Sequence, residues 1–474
     1  MTWQTRTSLY SHQAAAAQKV APVRVGALFM EPGTGKTRVA TELACLRQTV
    51  IDHVAYFCPV SLKETVRQEI LKHTDLPDSA INVFDERTAI GRLPVARWHI
   101  IGTESMSSSN RVTLAVNDLI TPNTMVIVDE SDKIKSHNAI RTRRITRLSE
   151  RAQYRLIMTG TPITQGVVDL YAQMTFLSPR ILGYSSFYSF AANHLEYSEK
   201  HPGLIVRAHN VDWLAAKIQP YTYQVTKEEC LDLPKKLFDA RYYQMSKAQR
   251  VAYDRAKWEI LIDRDDEEIT SYIIFQLFSA LQQIVSGFWN RKDKESGRVD
   301  LLEFEHDRLQ TLRHAIDRVP DGEKQIIWCK YHYSVRAIVE MLAGEYGADA
   351  VAQFHGHLNE LDRNRQIERF RHEAQFLVAT QQSGGRGLTL NESAHAHFYE
   401  NEFNYGNRLQ AEDRQHRIGQ TRKVLYTDLV CVDSIDTRIA AAQSKKGDAV
   451  KMFKQKVDKV KGDKKLLKKM IQEL

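Results

Sequence analysis

Gly26-Ala27-Leu28-Phe29-Met30 is an apolar run that breaks directly into Glu31-Pro32-Gly33-Thr34-Gly35-Lys36-Thr37, and an amphipathic stretch over residues 38–46 follows. The run has the length of a buried strand, and Val39, Leu43 and Leu46 recur at helical spacing behind it. Glycines at 33 and 35 let backbone N–H groups turn toward one point, which makes a nest for an anion. A helix starting there aims its positive end at the same point. Lys36 then neutralises phosphate oxygens, and the Thr37 hydroxyl ligates Mg²⁺. Gly33, Thr34, Gly35, Lys36 and Thr37 are the candidate nucleotide-binding set. The strict loop pattern has glycine where this chain has Met30, so the reading leans on the strand–loop–helix context.

The same alternation extends on either side. HVAYF (53–57), WHIIG (98–102), MVIVD (125–129) and YRLIM (154–158) read as further strands, separated by amphipathic stretches. Strands alternating with helices build a parallel sheet covered on both faces. The pattern restarts at QIIWC (325–329), FLVAT (376–380), HAHFY (395–399) and VLYTDLV (424–430), with a helix expected to start at Ser334. Between the two lies a stretch expected to be mostly helical. Ser246 and Gln249 fit a capping box, Ile273 to Val285 make an apolar stripe, and Gly287 is a stop. The acidic cluster 263–268 is expected at an exposed turn. The fold class is therefore α/β, with two parallel-sheet lobes. Residues 1–225 form the first lobe, 226–300 a helical insertion, 301–445 the second lobe and 446–474 a Lys-rich tail.

A phosphate loop needs a carboxylate to hold its metal. Asp129, at the end of the MVIVD run, is placed for Mg²⁺, and Glu130 is placed to orient and deprotonate a water. Thr159-Gly160-Thr161-Pro162 follows the next strand and offers two hydroxyls. Far along the chain, Arg414 and Arg417 stand three apart in Gln410-Ala411-Glu412-Asp413-Arg414-Gln415-His416-Arg417. On a helix they share a face, and two converging guanidinium groups suit a phosphate in transit. Taken in isolation, a pair of this kind reads first as a charged, solvated helix face.

Composition sets the bounds. In 474 residues, 43% hydrophobic and 26% charged content is that of ordinary folded domains and excludes disorder along the whole chain. No apolar run approaches the roughly 18–20 residues of a membrane span. Residues 1–19 hold no apolar core of the kind a secretion signal needs. Five scattered cysteines without a C-x-x-C pair argue against a zinc site and a disulfide scaffold, and point to a reducing, cytoplasmic setting. Of the net charge of +8, most sits in residues 445–474, which carry eleven lysines and four acidic residues. Such a tail binds a polyanion by counterion release, or is a solvated, frayed helix.

Taken in order, M-E-P-G-T-G-K-T, V-I-V-D-E-S-D-K-I-K, M-T-G-T-P-I, S-G-G-R-G-L-T-L and Q-A-E-D-R-Q-H-R-I-G-Q resemble the motif series of helicase superfamily two. The last string, and the Ile134-Lys135 after the carboxylates, resemble the Swi/Snf-type DNA-dependent ATPases. The resemblance spans about residues 8–440. It implies two RecA-like lobes with ATP and Mg²⁺ between them, and catalytic roles for Lys36, Glu130, Arg414 and Arg417. It implies that Gln13, in Leu9-Tyr10-Ser11-His12-Gln13, reads adenine, and that Gln410, Gly385 and Gly387 also face ATP. DNA contacts are implied for loops holding Ser61, Thr103, His355, Gly356, Thr380 and Ser383, through backbone N–H and hydroxyl groups on phosphate.

One departure is specific. Where this family has His as the fourth residue of the D-E-x-x box, this chain has Asp132, which puts the coupling of hydrolysis to nucleic acid in question. The compact chain, without a visible chromatin-reading, nuclease or zinc module, fits a minimal motor of viral or bacterial type. The resemblance implies a DNA-stimulated ATPase that translocates on duplex DNA. A strand-separating or branch-migrating helicase on forked DNA, and a weakly catalytic nucleic-acid clamp, stay open. The loops do not distinguish RNA from DNA. A protein partner would have the insertion or the tail to bind.

Overall fold

The computed structural model describes residues 2–88, 91, 93–163, 166–197, 205–230, 233–262, 269–292, 297–384, 388–445, 449 and 452–453. The chain divides into two units, Met1–Asp232 and Leu233–Leu474.

The first unit is built on a seven-stranded sheet. Its strands are β1 (Val25–Met30), β2 (His53–Cys58), β3 (Ile81–Val83), β4 (Trp98–Gly102), β5 (Thr124–Asp129) and β6 (Tyr154–Thr159). After an antiparallel hairpin of β7 (Leu195–Tyr197) and β8 (Ile205–Ala208), β9 (Thr222–Val225) completes it. The order is β3-β4-β2-β5-β6-β1-β9, with every pairing parallel. Alternate side chains explain why these strands are apolar throughout. Val126 and Val128 of β5 enter one core with Ala55 and Phe57 of β2. Met125 and Ile127 enter the opposite core with Val54 and Tyr56. Both faces are buried, as a parallel sheet under crossover helices requires.

The second unit holds a six-stranded sheet of β10 (Lys236–Tyr243), β13 (Gln325–Cys329), β14 (Val351–Phe354), β15 (Phe376–Thr380), β16 (His395–Phe398) and β17 (Val424–Cys431). A separate antiparallel hairpin joins β11 (Phe288–Lys292) to β12 (Val299–Glu303). The sheet order β10-β17-β16-β13-β15-β14 is again all parallel. Ile326 and Trp328 of β13 face one core, and Ile327 and Cys329 face the other.

The segment 226–300 is not a free-standing insertion. Its strand β10 pairs along its whole length with β17. Its helices Lys247–Lys257 and Ser271–Val285 share a core with Cys431, Ile435 and Ile439. Gln282 donates to the Asn401 carbonyl at 2.9 Å, and the Tyr253 hydroxyl accepts from the Ile435 N–H at 2.7 Å. The Ser246–Gln249 capping box forms as expected, and Gly287 follows the helix end with φ +91°.

Two expectations change, and others fall outside the described residues. The helix expected from Ser334 runs His332–Tyr346, and Ser334 instead donates its hydroxyl to the Glu400 carboxylate inside the core. Leu46 is 59% exposed at the end of Lys36–Leu46, so the buried stripe of that helix is Val39, Ala40, Leu43 and Ala44. The acidic cluster 263–268, Gly385, Gly387 and nearly all of the Lys-rich tail lie outside the described residues.

Candidate functional site

Strand β1 ends at Met30, and the helix Lys36–Leu46 begins after a loop whose two glycines have positive φ, +86° at Gly33 and +88° at Gly35. A side chain at Gly35 fails twice. That φ disfavours it, and its Cβ would lie 2.1 Å from Gln13 Nε2. The loop carries its own supports. The Thr34 hydroxyl donates to the Glu31 carbonyl at 2.7 Å, and the Lys36 ammonium to the Met30 carbonyl at 3.0 Å. From the helix Ser11–Val20, His12 Nε2 and Gln13 Nε2 both reach the Thr34 carbonyl, at 2.8 and 3.1 Å. Gln13, expected to read adenine, thus also clamps the phosphate loop. On the other side, Glu31 N donates to the Val225 carbonyl at 3.2 Å, and Lys227 N donates to Glu31 Oε2 at 2.9 Å.

Asp129 and Glu130 stand where β5 ends. Asp129 is buried. Its Oδ2 accepts from the Tyr56 hydroxyl at 2.9 Å and its Oδ1 from Glu130 N at 2.9 Å. The Thr37 side chain lies close enough to the same Tyr56 hydroxyl to favour its ionised form. One tyrosine on β2 therefore links the two expected metal residues. Hard oxygen donors in this set fit Mg²⁺. Burial raises both carboxyls above their ordinary range, and the nearby Lys36 ammonium opposes the rise. Glu130 holds φ 49°, ψ 55°, a left-handed conformation costly for a non-glycine residue, so its surroundings must impose it.

The Thr-Gly-Thr-Pro loop after β6 is tied to the carboxylates by a residue the sequence did not single out. Gln173, fully buried on the helix Val168–Leu177, accepts from the Ser131 hydroxyl at 2.6 Å and donates to the Pro162 carbonyl at 2.8 Å. The Thr159 hydroxyl accepts from Thr161 N at 3.1 Å. A Cβ on Gly160 would fall 2.4 Å from Pro32 Cδ, so this loop and the phosphate loop touch at a glycine. Asp132, the departure from the family pattern, accepts from Lys133 Nζ at 2.9 Å. Its buried Oδ1 has no hydrogen-bond partner among the described residues.

In the second unit, Arg414 and Arg417 are not on a helix. The helix Tyr405–Glu412 ends before them, and they lie in successive turns. They converge all the same, because both guanidinium groups donate to the Leu388 carbonyl, at 3.3 and 3.1 Å. The Gln410 carbonyl accepts from Arg414 Nε at 3.0 Å. Asn391, Gln415 and Gln420 pin these turns through the carbonyls of Ile418 and Ser393.

The expected nucleic-acid residues divide. Ser61 and Gly356 are exposed, and His355 and Ser383 are half-buried. A Cβ on Gly356 would lie 3.6 Å from the Ser383 hydroxyl, so those two segments meet. His355 sits in a cluster with His332 and His357, whose rings stack at 3.7 Å. Thr103 is different. It is fully buried, with its backbone N–H spent on the Cys58 carbonyl, so it braces its loop and offers no side chain to solvent. Thr380 is 5% exposed and is likewise a supporting residue.

Two parallel-sheet units, one with a phosphate loop and paired carboxylates, define an enzyme of the ATPase and helicase class. The SNF2-related domain model matches residues 22–286, more than half of the chain, and the chain belongs to that family. The helicase conserved C-terminal domain matches residues 307–419. The human DNA annealing helicase and endonuclease ZRANB3 is 24% identical over 466 residues, which is 93% of this chain and 41% of that protein. The Drosophila melanogaster ATP-dependent helicase brm is 25% identical over 360 residues, 67% of this chain and 21% of that protein. The chain thus spans well under half the length of these relatives. The solved SWI2/SNF2 ATPase core of Sulfolobus solfataricus in complex with dsDNA is 20% identical, with a TM-score of 0.45, covering all of this chain and 98% of that one. No helix among the described residues is long and apolar enough to cross a membrane.

Proposed function

We propose that this chain is a DNA-dependent ATPase that translocates on duplex DNA. The observation that carries the reading is the locking of three loops, after β1, β5 and β6, into one assembly by Tyr56, Gln173 and the Pro32–Gly160 contact. An assembly that holds Lys36 near two buried carboxylates is preorganised for a polyphosphate. Bound Mg²⁺, held by Thr37 and Asp129, would neutralise charge on the phosphates. Gly33, Thr34, Gly35 and Lys36 hold the phosphates by backbone N–H groups and the ammonium. Glu130, its carboxyl raised by burial, orients the attacking water and takes its proton. Gln13 holds both the loop and the base, and Gln410, Gly385 and Gly387 complete the nucleotide contacts. Arg414 and Arg417 supply cationic charge to the transferring phosphoryl group in the working state.

DNA is held through its backbone by Ser61 in the first unit and by His355, Gly356 and Ser383 in the second. Asp132 leaves a buried oxygen unsatisfied beside the carboxylate loop. Coupling of hydrolysis to DNA then rests on groups other than the family's histidine. The test is ATP turnover with no nucleic acid and with duplex, forked and single-stranded DNA and RNA, for the wild type and Lys36→Ala. Duplex-stimulated turnover that Lys36→Ala abolishes supports the reading. No turnover under any condition overturns it, and unwinding of a labelled fork shifts it to a strand-separating enzyme.

A further inference from the structure

The first unit has a cleft of about 940 Å³ apart from the nucleotide loops, between the helices Ile140–Ser149 and Val168–Leu177 and the start of Phe187–His194. One wall is basic. Arg143 and Arg147 stand four apart, so they share a helix face about 6 Å from each other along the axis. Both are exposed, and neither guanidinium has a hydrogen-bond or ion-pair partner among the described residues. This separates them from Arg144 on the same helix, which is spent on the Met106 carbonyl, Thr113 and Asn110. Glu150 supplies one acidic group at the rim.

The other wall is aromatic. His137 stacks on Phe187 with centroids 3.8 Å apart, Tyr171 meets Phe187 edge-on at 5.4 Å, and the Tyr188 ring is 82% exposed. Burial lowers the His137 pKa, which favours the neutral ring. Unpaired cations facing flat rings are the chemistry of a nucleic-acid strand, with phosphates on the arginines and unstacked bases on the rings. A duplex hides its base faces and cannot use the aromatic wall, and an acidic peptide would leave it uncovered.

We propose that this cleft binds a single strand of nucleic acid, in addition to the duplex contacts proposed above. The helix forming its floor carries Tyr171 toward the cleft and Gln173 toward the carboxylate loop, so a bound strand rests on the element that holds that loop.

The experiment is anisotropy of a labelled oligothymidylate on the full chain across a salt series, for the wild type, Arg143→Glu/Arg147→Glu, Arg143→Gln/Arg147→Gln and Tyr188→Ala. The charge reversal is expected to weaken binding more than tenfold. The glutamine pair should flatten the salt dependence by about 1.4 in log–log slope, as two lost phosphate contacts require. Tyr188→Ala should weaken binding at least about fivefold with the slope unchanged. ATP turnover without nucleic acid should stay at the wild-type level. Oligothymidylate binding unaffected by all three variants overturns the proposal. So does a labelled polyglutamate peptide that binds the wild type as tightly and loses affinity in the same variants. Because the readout is strand binding, absent duplex stimulation of ATPase would sink the translocase reading and leave this one standing.

Discussion

The loops of the first unit and the arginine turns of the second hold charge in opposite ways. Around β1, β5 and β6, a lysine and two carboxylates face one another, and neutral side chains fix them: Tyr56 on Asp129, Gln173 on Ser131, Gln13 on Thr34. Opposite charges there offset one another before any ligand arrives. In the second unit two cations converge on a carbonyl oxygen, and amide side chains fix the turns that carry them. Both guanidinium groups are thereby held toward one point. On the proposed function, the first region binds and activates the nucleotide and the second supplies charge to the reacting phosphoryl group.

That contrast predicts a graded series. Arg414→Ala and Arg417→Ala should each lower ATP turnover by about a thousandfold or more, with affinity for a fluorescent ATP analogue nearly unchanged. A loss of affinity equal to the loss of turnover would erase the distinction between the regions. Glu130→Gln should retain nucleotide and lose about a hundred- to ten-thousandfold in turnover, measured under single-turnover conditions. Unaltered turnover would remove Glu130 from the role of base. Gln173→Leu breaks both bonds that join the carboxylate loop to the loop after β6. With a buried hydrogen bond worth roughly 1–3 kcal/mol, turnover should fall about tenfold, with KM for ATP little changed. A pure KM effect would show that the tie serves binding alone. Smallest, Ser246→Ala removes the capping box and should cost about 1 kcal/mol in urea unfolding with normal turnover per folded molecule. A turnover defect there would show that the helical segment does more than support the second sheet.

The interior of both sheets was legible in the sequence, and the edges were not. Strands β1, β2, β4, β5 and β6, and β13, β15, β16 and β17, are all read from apolar runs. Within the two large sheets the strands missed, β3, β9, β10 and β14, are their four edge strands; the two hairpins, β7-β8 and β11-β12, were missed as well. An edge strand has one neighbour and is only partly covered, so it needs no continuous apolar run. β10 reads Lys-Leu-Phe-Asp-Ala-Arg-Tyr-Tyr, and its unrecognised pairing with β17 is why residues 226–300 looked like a separate helical piece. The site shows a similar divide. Lys36, Asp129 and Glu130 announce themselves by motif, whereas Tyr56 and Gln173 act through tertiary contact with residues 73 and 42 positions away. The arginines converge, but through turns folded onto Leu388 and not through helical spacing.

One connection carries a mechanical consequence. The chain leaves the first sheet at β9, whose last residue Val225 accepts from Glu31 N at its carbonyl, and two residues on Lys227 N donates to Glu31 Oε2 of the phosphate loop. A pull on the residues that follow β9 would therefore reach the phosphate loop through Glu31 as well as through the β9–β1 ladder that ends at Met30.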